Sequence, residues 1–146
     1  MSQILPPNLE RIVQRFQQIS DSKRRYEYLL WFAKRVPGLP EVDRVLENKV
    51  SGCVSQVYIT ATLQENQIFF YGDSDAQITK GLLGLLIEGL NGLTPHEITQ
   101  LTPDFIQRTG LDVSLTPSRN NGFYNIFQFM KHKVPTCQLG TECGCN

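Results

Sequence analysis

Apolar residues in the first quarter of the chain recur at intervals of three and four. Leu9, Ile12, Val13, Phe16 and Ile19 share one side of a helical wheel, with Pro6 and Pro7 at its entry, which predicts an amphipathic helix. Ser20, Asp21 and Ser22 break the pattern with oxygens suited to capping. It resumes through Tyr26, Leu29, Leu30, Ala33 and Val36 and stops at Pro37-Gly38, so a second helix completes a helical hairpin. The stretch 39–49, with Pro40 and mixed charge, shows no sustained period.

From Val57 the period becomes two. Val57, Ile59, Ala61 and Leu63 alternate with Tyr58, Thr60 and Thr62, and the sequence reads as strand from Ser55 onward. Polar residues 64–67 separate this strand from Ile68-Phe69-Phe70-Tyr71, which Gly72 ends, so an antiparallel hairpin is expected. Ser74-Asp75-Ala76-Gln77 fits a capping box opening a third helix, with Ile78, Leu82, Leu85, Leu86 and Leu90 on its apolar face. Gly81, Gly84 and Gly89 interrupt that helix at about 1 kcal/mol each relative to alanine. Glycines at this density imply that another backbone comes close.

Thr94-Pro95-His96-Glu97 repeats the capping signature and Thr102-Pro103 offers another helix start, giving two short helices, the second ended by Gly110. Residues 116–122 read as a loop-to-helix junction before a last helix with Phe123, Ile126, Phe127 and Met130 on one face. Past Pro135 the residues turn small and polar. The expected organisation is one domain over residues 1–134 and a cysteine-containing tail over 135–146. Tyr26, Tyr28, Trp31 and Phe32 are expected in the core, and Lys23-Arg24-Arg25 at a solvated helix start.

Charge narrows the function classes. Fourteen basic and fourteen acidic residues cancel in 146, so the electrostatic footprint of a nucleic-acid binder is missing. The longest apolar stretch, 81–93, is too short to cross a bilayer and carries Glu88 and Asn91, which argues against a membrane protein. The N-terminus has no basic region followed by an apolar run, so no targeting segment is expected. Of four cysteines, three crowd into the last ten residues, unlike the spaced pairs of a secreted disulfide framework. A reducing, cytoplasmic setting follows as the expectation.

The fourth cysteine, Cys53, stands alone in Val50-Ser51-Gly52-Cys53-Val54-Ser55-Gln56-Val57. Gly52 can take backbone angles closed to other residues, so the chain can turn there and present the thiol at a loop tip. By residue type alone such a cysteine is more often a small buried hydrophobe. No Lys or His adjoins it, and its neighbours are small or apolar. A protonated, sheltered thiol is therefore expected in the free protein, with activation deferred to a complex. A cysteine hydrolase with His96 or His132 as base is the enzyme alternative, although neither histidine carries a local signature. A metal or cluster scaffold built on Cys137, Cys143 and Cys145, with His132 or Cys53 as a further ligand, is another, but Cys-x5-Cys-x-Cys lacks the paired spacing of structural zinc sites. The bland reading of those three is a solvated tail.

Three blocks, Ser51-Gly52-Cys53-Val54-Ser55-Gln56-Val57-Tyr58, residues 72–82 (GDSDAQITKGL) and Leu115-Thr116-Pro117-Ser118-Arg119-Asn120-Asn121-Gly122, in this order and with these separations, resemble the SufE family of sulfur-acceptor proteins over roughly residues 8–133. The resemblance implies an α+β fold with a small curved antiparallel sheet packed against several helices, similar to iron–sulfur scaffold proteins. It implies no cofactor and no stand-alone enzymatic cycle. It implies a carrier that takes persulfide sulfur from a SufS-type cysteine desulfurase, stimulates that enzyme, and delivers sulfur to a downstream iron–sulfur scaffold. Cys53 matches the acceptor position. Gly52, Gln56, Asp75 and Arg119 fall within the same blocks and are implied to shape the loop or meet the partner, although Asp75 and Arg119 also suit a helix start and an ion pair. The cysteine tail is no part of the pattern.

Overall fold

The computed structural model describes residues 4–53 and 55–138. Helices α1 (Pro7–Gln17) and α2 (Ser22–Arg35) form the hairpin that the apolar spacing predicts, and two antiparallel strands follow, β1 (Val57–Gln64) and β2 (Gln67–Ser74). Then come α3 (Gln77–Leu90), the short α4 (Pro95–Gln100), α5 (Asp104–Arg108) and α6 (Leu111–Ser114), and the long α7 (Pro117–Gln138). The class is α+β, as the sequence predicts. The unpatterned stretch 39–49 holds two 3-10 turns, Glu41–Asp43 and Leu46–Asn48.

The two-residue period does its expected work. Val57, Ile59 and Ala61 lie opposite Ser74, Gly72 and Phe70 across the ladder, and these six positions are all buried. Glu65 and Asn66 take φ of 51° and 64°, the left-handed pair that lets a two-residue turn follow the twist of its strands. The turn is thus tighter than the four-residue loop read from polarity, because Gln64 and Gln67 pair.

Gly72 does not end β2. A side chain there would meet Leu83 Cδ2 at 2.9 Å, so this glycine admits α3 onto the sheet while the strand continues to Ser74. The capping box at Ser74 does not form either. Ala76 is the N-cap residue without a side-chain cap bond, and Ser74 Oγ accepts from the Ala76 N–H at 3.3 Å. The box at Thr94 does form, with Thr94 Oγ1 accepting from the Glu97 N–H and Glu97 accepting from the Thr94 N–H.

Helix α3 is the centre of the molecule, packed on α1, α2, β2 and α7. Leu82, Leu83, Leu85, Leu86 and Leu90 are fully buried, as expected of a helix with neighbours on most sides. Its glycines admit those neighbours. A Cβ at Gly81 would lie 2.3 Å from the Leu29 carbonyl oxygen, and one at Gly84 2.7 Å from that of Phe32. Backbone approaches backbone between α2 and α3, as the glycine density implies.

Two expectations about α2 change. Arg25 is half-buried, donating to Ile19 O at 2.8 Å and to Ser114 Oγ at 3.1 Å. It ties α2 to the α5–α6 region instead of extending into solvent. Trp31 is 47% exposed beneath the Arg35 guanidinium, 4.6 Å from the ring centroid, whereas Phe32 beside it is buried.

The final helix starts earlier than the junction read from 116–122, with Pro117 as its first residue. Proline favours that place because its missing N–H has no partner to lose there. Phe123, Ile126, Phe127, Met130 and Val134 form its buried face, and the helix continues through 135–138.

Candidate functional site

Cys53 lies in the connection between the second 3-10 turn and β1. The base of this connection is closed by the Val50 N–H, which donates to Val57 O at 2.9 Å. Residues 55 and 56 precede the strand instead of belonging to it. The reason is local: the Gln56 N–H donates to Asp75 Oδ1 at 2.9 Å and Gln56 O accepts from the Asp75 N–H at 3.2 Å. Gln56 thus orders the loop through its backbone, while its exposed side chain accepts from the Tyr58 hydroxyl at 3.2 Å. Asp75, placed just after β2, spends its carboxylate on this anchor.

Gly52 has φ of 81°, a left-handed conformation that costs glycine little and a side chain more. That turn lays Cys53 against the start of α7. Its Sγ lies 3.9 Å from Gly122 O, and the Asn125 side chain, one turn further along, donates to Gly52 O at 3.0 Å. The thiol is half-buried and free of any disulfide. Burial pushes its pKa above the ordinary cysteine value, because desolvation disfavours the charged thiolate. In this position the sulfur is a poor nucleophile.

A cavity of about 320 Å³ is lined by Ser55, Thr79, Thr116, Ser118, Arg119 and Gly122, the last of which also touches the Cys53 sulfur. Ser55 Oγ and Thr79 Oγ1 form a hydroxyl pair at 3.2 Å. Arg119, exposed in the first turn of α7, contributes the positive charge. The structure thus brings Gly52, Cys53 and Arg119 to one end of α7, with Gln56 and Asp75 holding the loop's far side. Asn125, Thr79 and Ser55 complete the surroundings. No sequence motif singles out Asn125, because its contact with Gly52 spans 73 positions and depends on how α7 docks.

The segment leading into the loop is clamped to the body. Asp73 pairs with Arg44 at 2.6 Å and with Lys80 at 3.1 Å. Burial raises the Asp73 pKa, but hydrogen bonds from Arg44, Lys80 and the Ser74 amide together hold it below the usual carboxylate value. Lys133 on α7 donates to Asn48 Oδ1 at 2.7 Å.

The alternatives fare differently. His132 stands ten residues along α7 from Gly122, about 15 Å along the axis at the helical rise. His96 lines a separate groove with Leu5, Pro6 and Leu101. Neither histidine lines the cavity at Gly122. Among the described residues no group of three or more His, Cys, Asp or Glu side chains is arranged to hold a metal ion. Cys143 and Cys145 lie outside the described residues, as does the side chain of Cys137, and with them the scaffold reading of the tail. No described helix is long and apolar enough to cross a membrane.

Comparison with known proteins places this geometry in context. Residues 10–134 match the model of the SufE family, described as an Fe-S metabolism associated domain. An uncharacterized SufE-like protein of Synechocystis is 60% identical over 140 residues, covering 96% of this chain and 88% of that protein. The SufE-like protein 1 of Arabidopsis thaliana, chloroplastic/mitochondrial, is 44% identical over 131 residues, and the chain spans 35% of its length. The cysteine desulfuration protein SufE of Plasmodium falciparum is 35% identical over 133 residues, and the chain spans 53% of it. The solution structure of a hypothetical protein from Thermus thermophilus superposes with a TM-score of 0.80 at 25% identity, covering 93% of this chain and 99% of that one. With its matched region running from α1 into the last turns of α7, the chain belongs to the SufE family, the Fe-S metabolism associated domain.

Proposed function

We propose that this protein is a sulfur carrier that accepts persulfide sulfur on Cys53 from a SufS-type cysteine desulfurase and delivers it to an iron–sulfur scaffold. One observation carries the reading: in a SufE-family domain, the free Cys53 thiol is half-buried on a glycine-turned loop that rests on the start of α7. A group meant for unassisted catalysis needs an activating neighbour; a carrier needs shelter between encounters. The raised pKa of Cys53 fits the second requirement. Small thiols and oxidants react with thiolate, so a neutral thiol is protected from both.

The transfer step is a thiol–disulfide-type exchange. On docking, Cys53 loses its proton, and its thiolate attacks the outer sulfur of the donor persulfide. The new S–S bond forms as the donor's S–S bond breaks, and the donor cysteine departs as thiolate, which takes up the proton that Cys53 gave up. No net oxidation occurs. The new bond adds about 2 Å beyond Sγ, and Gly122, whose carbonyl oxygen lies 3.9 Å from the sulfur, borders the cavity that Arg119 and the Ser55–Thr79 hydroxyls also line. Gly52 provides the turn by which the loop moves outward, while Gln56 and Asp75 hold its far end. By removing sulfur from the donor the protein raises desulfurase turnover without a catalytic cycle of its own. The reducing conditions this chemistry requires are those of the cytoplasm.

Incubation with a cysteine desulfurase and cysteine, followed by mass analysis of the Cys53 peptide, tests the assignment. The wild-type peptide gains one sulfur and sulfide release accelerates. Cys53→Ser retains binding and loses both effects. Sulfur retained on the serine variant, or undiminished acceleration by it, places the acceptor elsewhere.

A further inference from the structure

The Cys53 loop meets the body of the protein on one stripe of α7 and, through the Ser55–Thr79 hydroxyl pair at 3.2 Å, on α3. Gly122 and Asn125, one helical turn apart, face the loop together. From Gly122 the contact to the loop is weak, a carbonyl 3.9 Å from a thiol sulfur. From Asn125 it is a full hydrogen bond, Nδ2 to Gly52 O at 3.0 Å. The approach is close enough that a Cβ on residue 52 would lie 2.6 Å from Asn125 Nδ2. The amide thus grips the carbonyl at the peptide immediately before the cysteine, where a small rotation swings the sulfur through its largest arc. At either side the loop is held by Val50 to Val57 and by Gln56 to Asp75, with Ser55 bonded to Thr79 on the Gln56 side.

We propose that Asn125 is the latch of this loop: by donating to the Gly52 carbonyl it sets the fraction of molecules in which the Cys53 sulfur is turned outward, and so tunes how readily the site engages a partner. Its biological meaning rests on the acceptor reading above; its physical content does not. Asn125 is a positioning residue. It touches no reacting atom and acts through the peptide it holds. When the bond opens, Gly52 is free to rotate, the sulfur leaves Gly122, and the thiol and the Gly52 carbonyl exchange a protein contact for water. The net strength of one neutral hydrogen bond fixes the scale, about three- to tenfold in the open population.

The experiment follows Cys53 alkylation by iodoacetamide in the full chain without any partner, read by mass spectrometry of the Cys53 peptide so that the tail thiols do not contribute. Asn125→Ala and Asn125→Asp, neither of which can donate at this place, are expected to label about three- to tenfold faster than wild type. The excess should persist unchanged in low denaturant, since local opening exposes little surface. With a desulfurase present, both variants should reach half-maximal stimulation at a concentration lower by the same factor, at an unchanged maximal rate, because a larger fraction of the carrier is competent to bind. A merely structural asparagine would not produce that split. Labelling within twofold of wild type in both variants overturns the proposal. So does an excess that grows with denaturant in step with global unfolding. If wild-type Cys53 captures no sulfur at all, the acceptor reading fails while the labelling ratio still decides the latch.

Discussion

Between α2 and α3, Gly81 and Gly84 bring two helix backbones into contact that any side chain would obstruct, and the surfaces behind them are buried leucine and phenylalanine. At the sulfur, Gly52 is exposed, left-handed, and held against α7 through the Asn125 amide. The same residue type serves opposite ends. In the first place the missing Cβ removes a spacer, and the result is close packing with no slack. In the second it removes a torsional restriction, and the result is a short peptide able to rotate on a fixed base. Close packing belongs to the first region and the proposed chemistry to the second, and the contact between α3 and α7 joins them.

The sharpest way to break this contrast is to add one carbon on the packed side. Gly81→Ala places a Cβ 2.3 Å from a backbone oxygen that cannot move aside without shifting α2. A loss of about 3 kcal/mol or more is expected, seen as a much lower thermal midpoint or failure to fold. Tolerance of the change within a degree would mean that the α2–α3 contact is not the rigid half of the molecule.

The same addition on the mobile side should cost less and show elsewhere. Gly52→Ala meets a side-chain amide, not a backbone, and adds left-handed strain, for a loss of about 1–2 kcal/mol. Its larger signature is faster alkylation of Cys53, because Asn125 is displaced. A large drop in thermal midpoint with unchanged labelling would reverse the roles assigned to the two glycines.

The smallest effect lies in pH. Because burial raises the Cys53 pKa, the folded protein holds less thiolate near pH 8 than the unfolded chain, whose thiol titrates near about 8.5. The alkylation rate of folded protein should therefore keep climbing after that of urea-unfolded protein has levelled. Coincident profiles would show that the sulfur is already solvated in the closed loop.

Much of this is legible in the residues, for identifiable reasons. The helical and strand periods report burial directly, so α1, α2, the hairpin and the apolar face of α7 emerge from spacing alone. The glycines of α3 announce a close neighbour because their intrinsic cost needs a compensating contact. Ser74 misleads because its hydroxyl pattern is local, whereas its place at the end of β2 is set by pairing with Val57. Arg25 misleads similarly: its partners Ile19 and Ser114 come together only after the chain folds. At the site, Cys53 stands out by isolation and by the blocks around it. Asn125 does not, since an asparagine on a helix carries no mark of what faces it.

The anchors around the loop set a reach. Val50 is fastened to Val57, and Gln56 to Asp75, so Cys53 sits midway on a tether with three peptide steps to either post. At full extension such a half-length spans about 10 Å. The Cys53 Cα can stand no farther than this from either post while both anchors hold, and the sulfur adds only the length of its own side chain. On the acceptor role proposed for Cys53, a donor has to bring its own sulfur inside that reach.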